Sequence, residues 1–160
     1  MAIHEKQSLS GRLTIELRTP DGRVIERRRH DNLITTAGRT LVAQLFTGEV
    51  SGKPELLIAV GDGTDTAKPG DTQLGNWVDQ IPAATQEIRV ETEDGAQQAV
   101  VGVVATLPAL GAGDKSQVLR EAGILIRFPN QAPVMYNRVN FADITRTGNL
   151  EMTLAWEVLF

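Results

Sequence analysis

Leu150-Glu-Met-Thr-Leu-Ala-Trp-Glu-Val-Leu-Phe160, read LEMTLAWEVLF, sets Leu150, Met152, Leu154, Trp156, Val158 and Phe160 at every even position. A helix that buries one face needs apolar residues three and four apart. Strict alternation belongs to a strand with one face in a core and the other against water. The chain therefore contains a long strand that needs a second apolar layer to cover it. Upstream, Leu13, Ile15 and Leu17 alternate with Thr14, Glu16 and Arg18 in the same way. Thr19-Pro20-Asp21-Gly22 then supplies turn chemistry, with a preset φ at Pro, a local cap from Asp and a free exit at Gly. A partner strand follows from about Arg23 to His30, which completes a hairpin.

Further strands are expected at Leu56–Val60, Thr85–Thr92, Ala99–Leu107 and Val134–Phe141, and around Ala122, Ile124, Ile126 and Phe128, which share a face. The connectors at 61–72, 92–97, 108–116, 129–133 and 143–149 are rich in Gly, Pro, Asp and Asn. One helix breaks the pattern, at about residues 36–47. Thr35 or Thr36 caps its start, and Gly48 stands where a left-handed C-terminal cap belongs. Leu41, Val42, Leu45 and Phe46 form its apolar stripe. So short a helix is marginal alone, so the stripe is expected to pack on a sheet. The resulting reading is mainly β: an antiparallel β-sandwich of about 6–8 strands with one short α-helix, residues 11–160 forming a single domain behind a polar arm at 1–10.

Composition narrows the function classes. The 160 residues are one domain's worth, and aromatics are only 4%, so packing rests on Val, Leu, Ile and Ala. A net charge of -4 argues against a general nucleic-acid binder, which needs surplus Lys and Arg to neutralise phosphate. The absence of cysteine excludes disulfides, thiolate metal sites and a Cys nucleophile, and fits synthesis in a reducing cytoplasm. No apolar run is long enough for a membrane helix. MAIHEKQSLSGR lacks the apolar centre of a signal peptide, so export by the general secretory route is not expected.

IAVGDGTDTAKPGDTQL, Ile58 to Leu74, carries the most suggestive chemistry. Gly61-Asp62-Gly63 hints at a phosphate cradle. The third dinucleotide glycine is replaced by Thr66, no Gly-Lys-Ser/Thr occurs, and Asp62 would repel the anion. Asp62, Asp65 and Asp71 hint at calcium. Counted from Asp62, the closing Glu of a helix-loop-helix calcium loop is Gln73, which leaves only an irregular oxygen site open. Otherwise the stretch is a turn-rich connector shaped by Gly and Asp. Hydrolytic chemistry would rest on His4 or His30 alone, and no Gly-x-Ser-x-Gly occurs. The carboxylates of Glu91 and Glu93 read equally as a wet strand face. No cofactor and no catalytic residue is expected. In Arg27-Arg28-Arg29-His30 only Arg27 and Arg29 share a strand face, either to grip an acidic partner or to protect a sheet edge. Trp77, in a polar stretch, is the aromatic best placed to be exposed.

Five segments taken in order resemble a family of tailed-phage proteins: small virion and tail-associated proteins, including the N-terminal region of tail-collar fibre proteins. They are NLITTAG (Asn32–Gly38), IAVGDGT with DTQL (Ile58–Thr64, Asp71–Leu74), REAGIL (Arg120–Leu125), YNRVNF (Tyr136–Phe141) and LAWEV (Leu154–Val158). Together they span roughly residues 30 to 160. The resemblance implies a non-enzymatic structural subunit of a virion or tail-like particle, made in the bacterial host cytoplasm. It would be a homo-oligomer docking on other particle proteins, with no nucleic-acid or membrane partner. Phage-derived contractile injection systems use similar parts. The sequence closes on its last strand without a shaft or receptor-binding tip, so the expected place is collar, baseplate, fibre adaptor or head decoration. Candidate partner contacts are Arg27, Arg29, Gly61, Asp62, Gly63 and Trp77. The rival expectation is a β-sandwich module that binds carbohydrate or a host surface, with Trp77 as its stacking platform.

Overall fold

The computed structural model describes residues 9–113 and 115–160, so residues 1–8 of the expected arm, His4 among them, lie outside the described residues. The elements in chain order are β1 (Ser10–Arg18), β2 (Val24–Asp31), β3 (Leu33–Ile34), α1 (Thr36–Thr47), β4 (Glu55–Gly61), β5 (Trp77–Pro82), β6 (Thr85–Glu93), β7 (Ala96–Leu107), β8 (Ser116–Arg127), β9 (Val134–Met135), β10 (Asn137–Thr147) and β11 (Glu151–Leu159). They form a β-sandwich of two antiparallel sheets. One runs β2-β1-β11-β7-β6; the other runs β3-β10-β8-β4-β5, with β9 added to β8.

The C-terminal strand lies at the centre of the first sheet. Its even residues face the odd residues of β1 in register, Leu13 opposite Trp156, Ile15 opposite Leu154 and Leu17 opposite Met152. All six are buried, and the core they join includes Ile58, Val60, Leu119, Ala122, Ile124 and Val139 from the second sheet. Burying one such side chain is worth about 1.5–3 kcal/mol, which makes this interleaving of two alternating faces the main stabilising term. The outward face of the first sheet is charged. Arg27 pairs with Glu16 at 3.1 Å, and Glu157 pairs with both Arg12 at 3.0 Å and Arg89 at 3.2 Å. Such exposed pairs add little stability each and chiefly keep the face wet.

Among the described residues there are eleven strands where six to eight were expected. Two of the extra ones are two residues long: β3 shows no period, and β9 is the start of the strand expected at Val134–Phe141, set apart from β10 at Tyr136. The third, β5, reads WVDQIP, with polar Asp79 and Gln80 in the middle and Pro82 at its end. It survives as a sheet edge, where a proline costs no ladder hydrogen bond. The segment 143–149, expected as a connector, is largely strand: β10 runs through Thr147 after a register shift between Asn140 and Ile144. The shift hid its period.

The helix begins as its sequence demands. Thr35 is fully buried, accepts the Gly38 backbone N–H at 2.9 Å and donates its own hydroxyl proton to the Met135 carbonyl at 2.6 Å. Gly48 ends the helix in the left-handed region, φ 77°. The stripe, however, is only half buried. Leu41 packs with Val50 and Phe128, while Leu45 is half exposed and Phe46 is 94% exposed. The helix touches the sandwich through its first turns and its last turn overhangs.

Candidate functional site

The glycine-aspartate loop, residues 62–76, connects β4 to β5 and folds over the outer face of the second sheet. On β8, Ala122 and Ile124 point inward, so Glu121 and Leu125 point outward. On β10, Val139 lies opposite Ala122 and Asn140 opposite Glu121, which sends Arg138 and Asn140 outward too. Leu74 anchors the loop against Ala59, Leu125 and Met135. Under this cover Glu121 is 0% exposed and Arg138 1%.

The loop's backbone converges on the Glu121 carboxylate. Its Oε1 accepts the N–H of Gly63 at 3.0 Å and of Asn76 at 2.8 Å; its Oε2 accepts that of Gly75 at 3.0 Å. Arg138 donates to the same Oε2 from Nε at 3.0 Å and Nη2 at 2.6 Å. Its Nη1 donates to Asp65 Oδ2 at 3.0 Å and Asp71 Oδ2 at 2.8 Å, and Nη2 also reaches Asp65 Oδ1 at 3.0 Å. A guanidinium has five N–H groups, and these contacts use all of them. Asn140 completes the set, accepting from Ala67 N at 2.7 Å and donating to the Asp65 carbonyl at 3.0 Å. Gly63 has to be glycine because a Cβ there would overlap the Glu121 carboxylate.

Both suggestive readings of this stretch thus resolve into internal chemistry. It is a backbone cradle for an anion, and the anion is Glu121 instead of a phosphate. Its aspartates do gather round a cation, and the cation is Arg138 instead of calcium: Asp65 and Asp71 are spent on the guanidinium, while Asp62 accepts from Asn76 at 2.5 Å. Among the described residues no three His, Cys, Asp or Glu side chains are grouped to hold a metal. Of the candidate partner contacts in the loop, Gly61 is buried, and Asp62 and Gly63 are half-buried.

Arg138 holds Asp65 below its ordinary carboxyl value of 3.8 through a side-chain hydrogen bond. For Asp71, burial pushes upward from 3.8, but the Lys68 backbone N–H and Arg138 outweigh it, and its value is lowered too. Groups depressed on folding contribute stability that is present above the unfolded value and lost as pH falls through the folded ones. Stability is therefore expected to hold at mildly acidic pH and to fall once pH drops below about 4. Denaturant midpoints measured against pH check this. The double variant Asp65→Asn, Asp71→Asn should show a lower plateau and a flatter acid limb.

The other candidates are scattered. Arg27 and Arg29 are exposed on β2, an edge of the first sheet, and Arg27 is engaged by Glu16. His30 sits against Phe141 with ring centroids 5.8 Å apart, and burial lowers its pKa. Trp77 is 55% exposed, beside a hollow of about 400 Å³ that it lines with Gln73, Asn76, Leu125 and Met135. The residues that organise the loop, Glu121 and Arg138, were not singled out as a site from sequence. Each stands in a strand with other polar residues, Arg120 beside Glu121 and Asn137 beside Arg138, so nothing in the sequence separates it from an exposed strand face. Comparison with protein-family models, curated proteins and solved structures gives no match for this chain.

Proposed function

We propose that the chain is a non-enzymatic structural subunit of a phage virion or phage-tail-like particle, placed at the collar, baseplate, fibre adaptor or head decoration. It works by self-association and by docking on neighbouring particle proteins. One observation carries this reading: the polar cluster with the most chemical potential is consumed inside the domain, whereas large apolar side chains stand outside it. Leu45, Phe46, Ile88, Val90 and Trp77 are all exposed. A scaffold that uses up this cluster internally and leaves apolar side chains exposed is suited to assembly. The ordered resemblance of five segments to tail-associated proteins points the same way. Quantitative mass spectrometry of purified particles from cells producing the chain tests it. The expected result is a fixed copy number relative to the tail proteins; a chain left wholly in the soluble fraction would overturn the proposal.

A carbohydrate- or host-surface-binding module is the second reading, favoured by exposed Trp77 with Gln73 and Asn76 in the adjoining hollow. That reading expects glycan-array binding lost at least tenfold in Trp77→Ala, since aromatic contacts dominate such sites. The structural-subunit reading expects no such binding.

A further inference from the structure

The sandwich is open at the end where β4 begins and β11 finishes. There an apolar groove of about 350 Å³ runs between the sheets, with α1 as one wall. Leu45 and Leu56 line one side, Ile88, Val101 and Phe160 the other. Ile88 is 79% exposed although it shares the inward face of the first sheet with Val101, because the second sheet stops short of it. Tyr136 also lines the groove, and its buried hydroxyl has no hydrogen-bond partner among the described residues. Next to this hole stands a knob. Phe46 follows Leu45, and consecutive helical residues point about 100° apart. Leu45 therefore faces the groove while Phe46 projects away from it, and Phe46 is not part of the groove's lining.

We infer that this face binds a second copy of the chain about a two-fold axis near the C-terminal end of α1, each Phe46 entering the other copy's groove. The inference rests on the structural-subunit reading and names its first contact. Three features select a second copy as occupant. The hole and the knob adjoin on one chain, Phe46 following Leu45 on the helix that walls the groove, so two copies can exchange them about a two-fold axis as an isologous contact requires. The volumes agree, since an apolar cavity of about 150 Å³ already holds a benzene ring. The area agrees as well: Leu45, Phe46, Ile88, Val90 and Phe160 expose roughly 500 Å² of apolar surface, the central part of the ~800 Å² that each partner buries in a stable interface.

Sedimentation equilibrium of the full chain tests this, alongside Phe46→Asp and Ile88→Asp. Both side chains are exposed in the single chain, so both variants keep the fold, which a melting curve checks. The expected result is a dimer whose dissociation constant rises at least about 100-fold in either variant, because each substitution removes two contacts per dimer. The chain has no cysteine, so a Phe46→Cys chain mixed with an Ile88→Cys chain should cross-link on mild oxidation. A monomer up to about 1 mM would overturn the inference. So would an oligomer indifferent to both variants, or a trimer or larger ring lost in Phe46→Asp. An oligomer lost in Ile3→Asp but kept in Phe46→Asp would assign the contact to the N-terminal arm and overturn it too. The two proposals fail separately. A strict monomer that is nevertheless counted in particles removes the dimer and keeps the subunit. A Phe46-dependent dimer absent from particles keeps the dimer and removes the subunit.

Discussion

Arg138→Met lowers the unfolding midpoint by roughly 6–20 °C. Breaking a buried ion pair from one side costs about 3–5 kcal/mol, because the remaining charge is left without compensation. For a domain of this size each kcal/mol moves the midpoint by roughly 2–4 °C. The charge left behind is Glu121, with no exposed surface and three backbone N–H groups still directed at it. Arg138→Lys does not rescue, since one ammonium cannot reproduce a fork that reaches Glu121, Asp65 and Asp71 at once. The double variant Arg138→Met, Glu121→Met recovers only part of the loss, because it removes both buried charges but leaves the N–H groups of Gly63, Gly75 and Asn76 without their acceptor. Thermal melts of the three variants decide this. A loss below about 1 kcal/mol in Arg138→Met would mean that the pair is solvated and that the loop is held by Leu74 alone.

Trp156→Ala is expected to cost about 3–5 kcal/mol, the usual range for deleting a buried aromatic side chain. Trp156 is 1% exposed in the middle of β11, opposite Leu13 on one neighbour and Val103 on the other. Its indole N–H donates to Asn32 Oδ1 at 2.9 Å, tying the core strand to the segment that enters the helix. Trp156→Phe separates the two contributions. It keeps most of the packing but leaves the Asn32 oxygen without its donor, a loss of about 1–3 kcal/mol. Equilibrium denaturation with matched slopes checks both figures. Near-equal losses in the two variants would show that the hydrogen bond, and not the ring, carries the residue's weight.

The sequence was most readable where one residue's neighbours alone set its fate. The alternation of β11 and the Pro-Asp-Gly turn between β1 and β2 are local signals, and both elements stand where those signals placed them. Thr35 and Gly48 did the same for the helix ends. Elements defined by pairing were harder. Leu33–Ile34 is too short to show a period, the strand expected at Val134–Phe141 divides at Tyr136 into β9 and β10, and Trp77–Pro82 is a strand because β4 offers it an edge. The overhang of Phe46 was invisible too, since a helical stripe records which residues are apolar and not how far the opposing sheet extends. The site was least readable. Glu121 and Arg138 lie 17 residues apart on neighbouring strands, and the loop that buries them comes from nearly 50 residues earlier. A carboxylate that will be cradled and one that will face water look identical until the chain that covers them is placed.

Amide hydrogen exchange of Gly63, Gly75 and Asn76 in the ligand-free chain tests most directly whether this loop is complete in itself. Protection of at least about 1000-fold is expected at all three, unchanged by millimolar calcium or phosphate, because Glu121 and Arg138 already occupy the cradle. Amides that exchange freely in the ligand-free chain and become protected only when an ion is added would contradict it. The loop would then be a binding site waiting for its ligand.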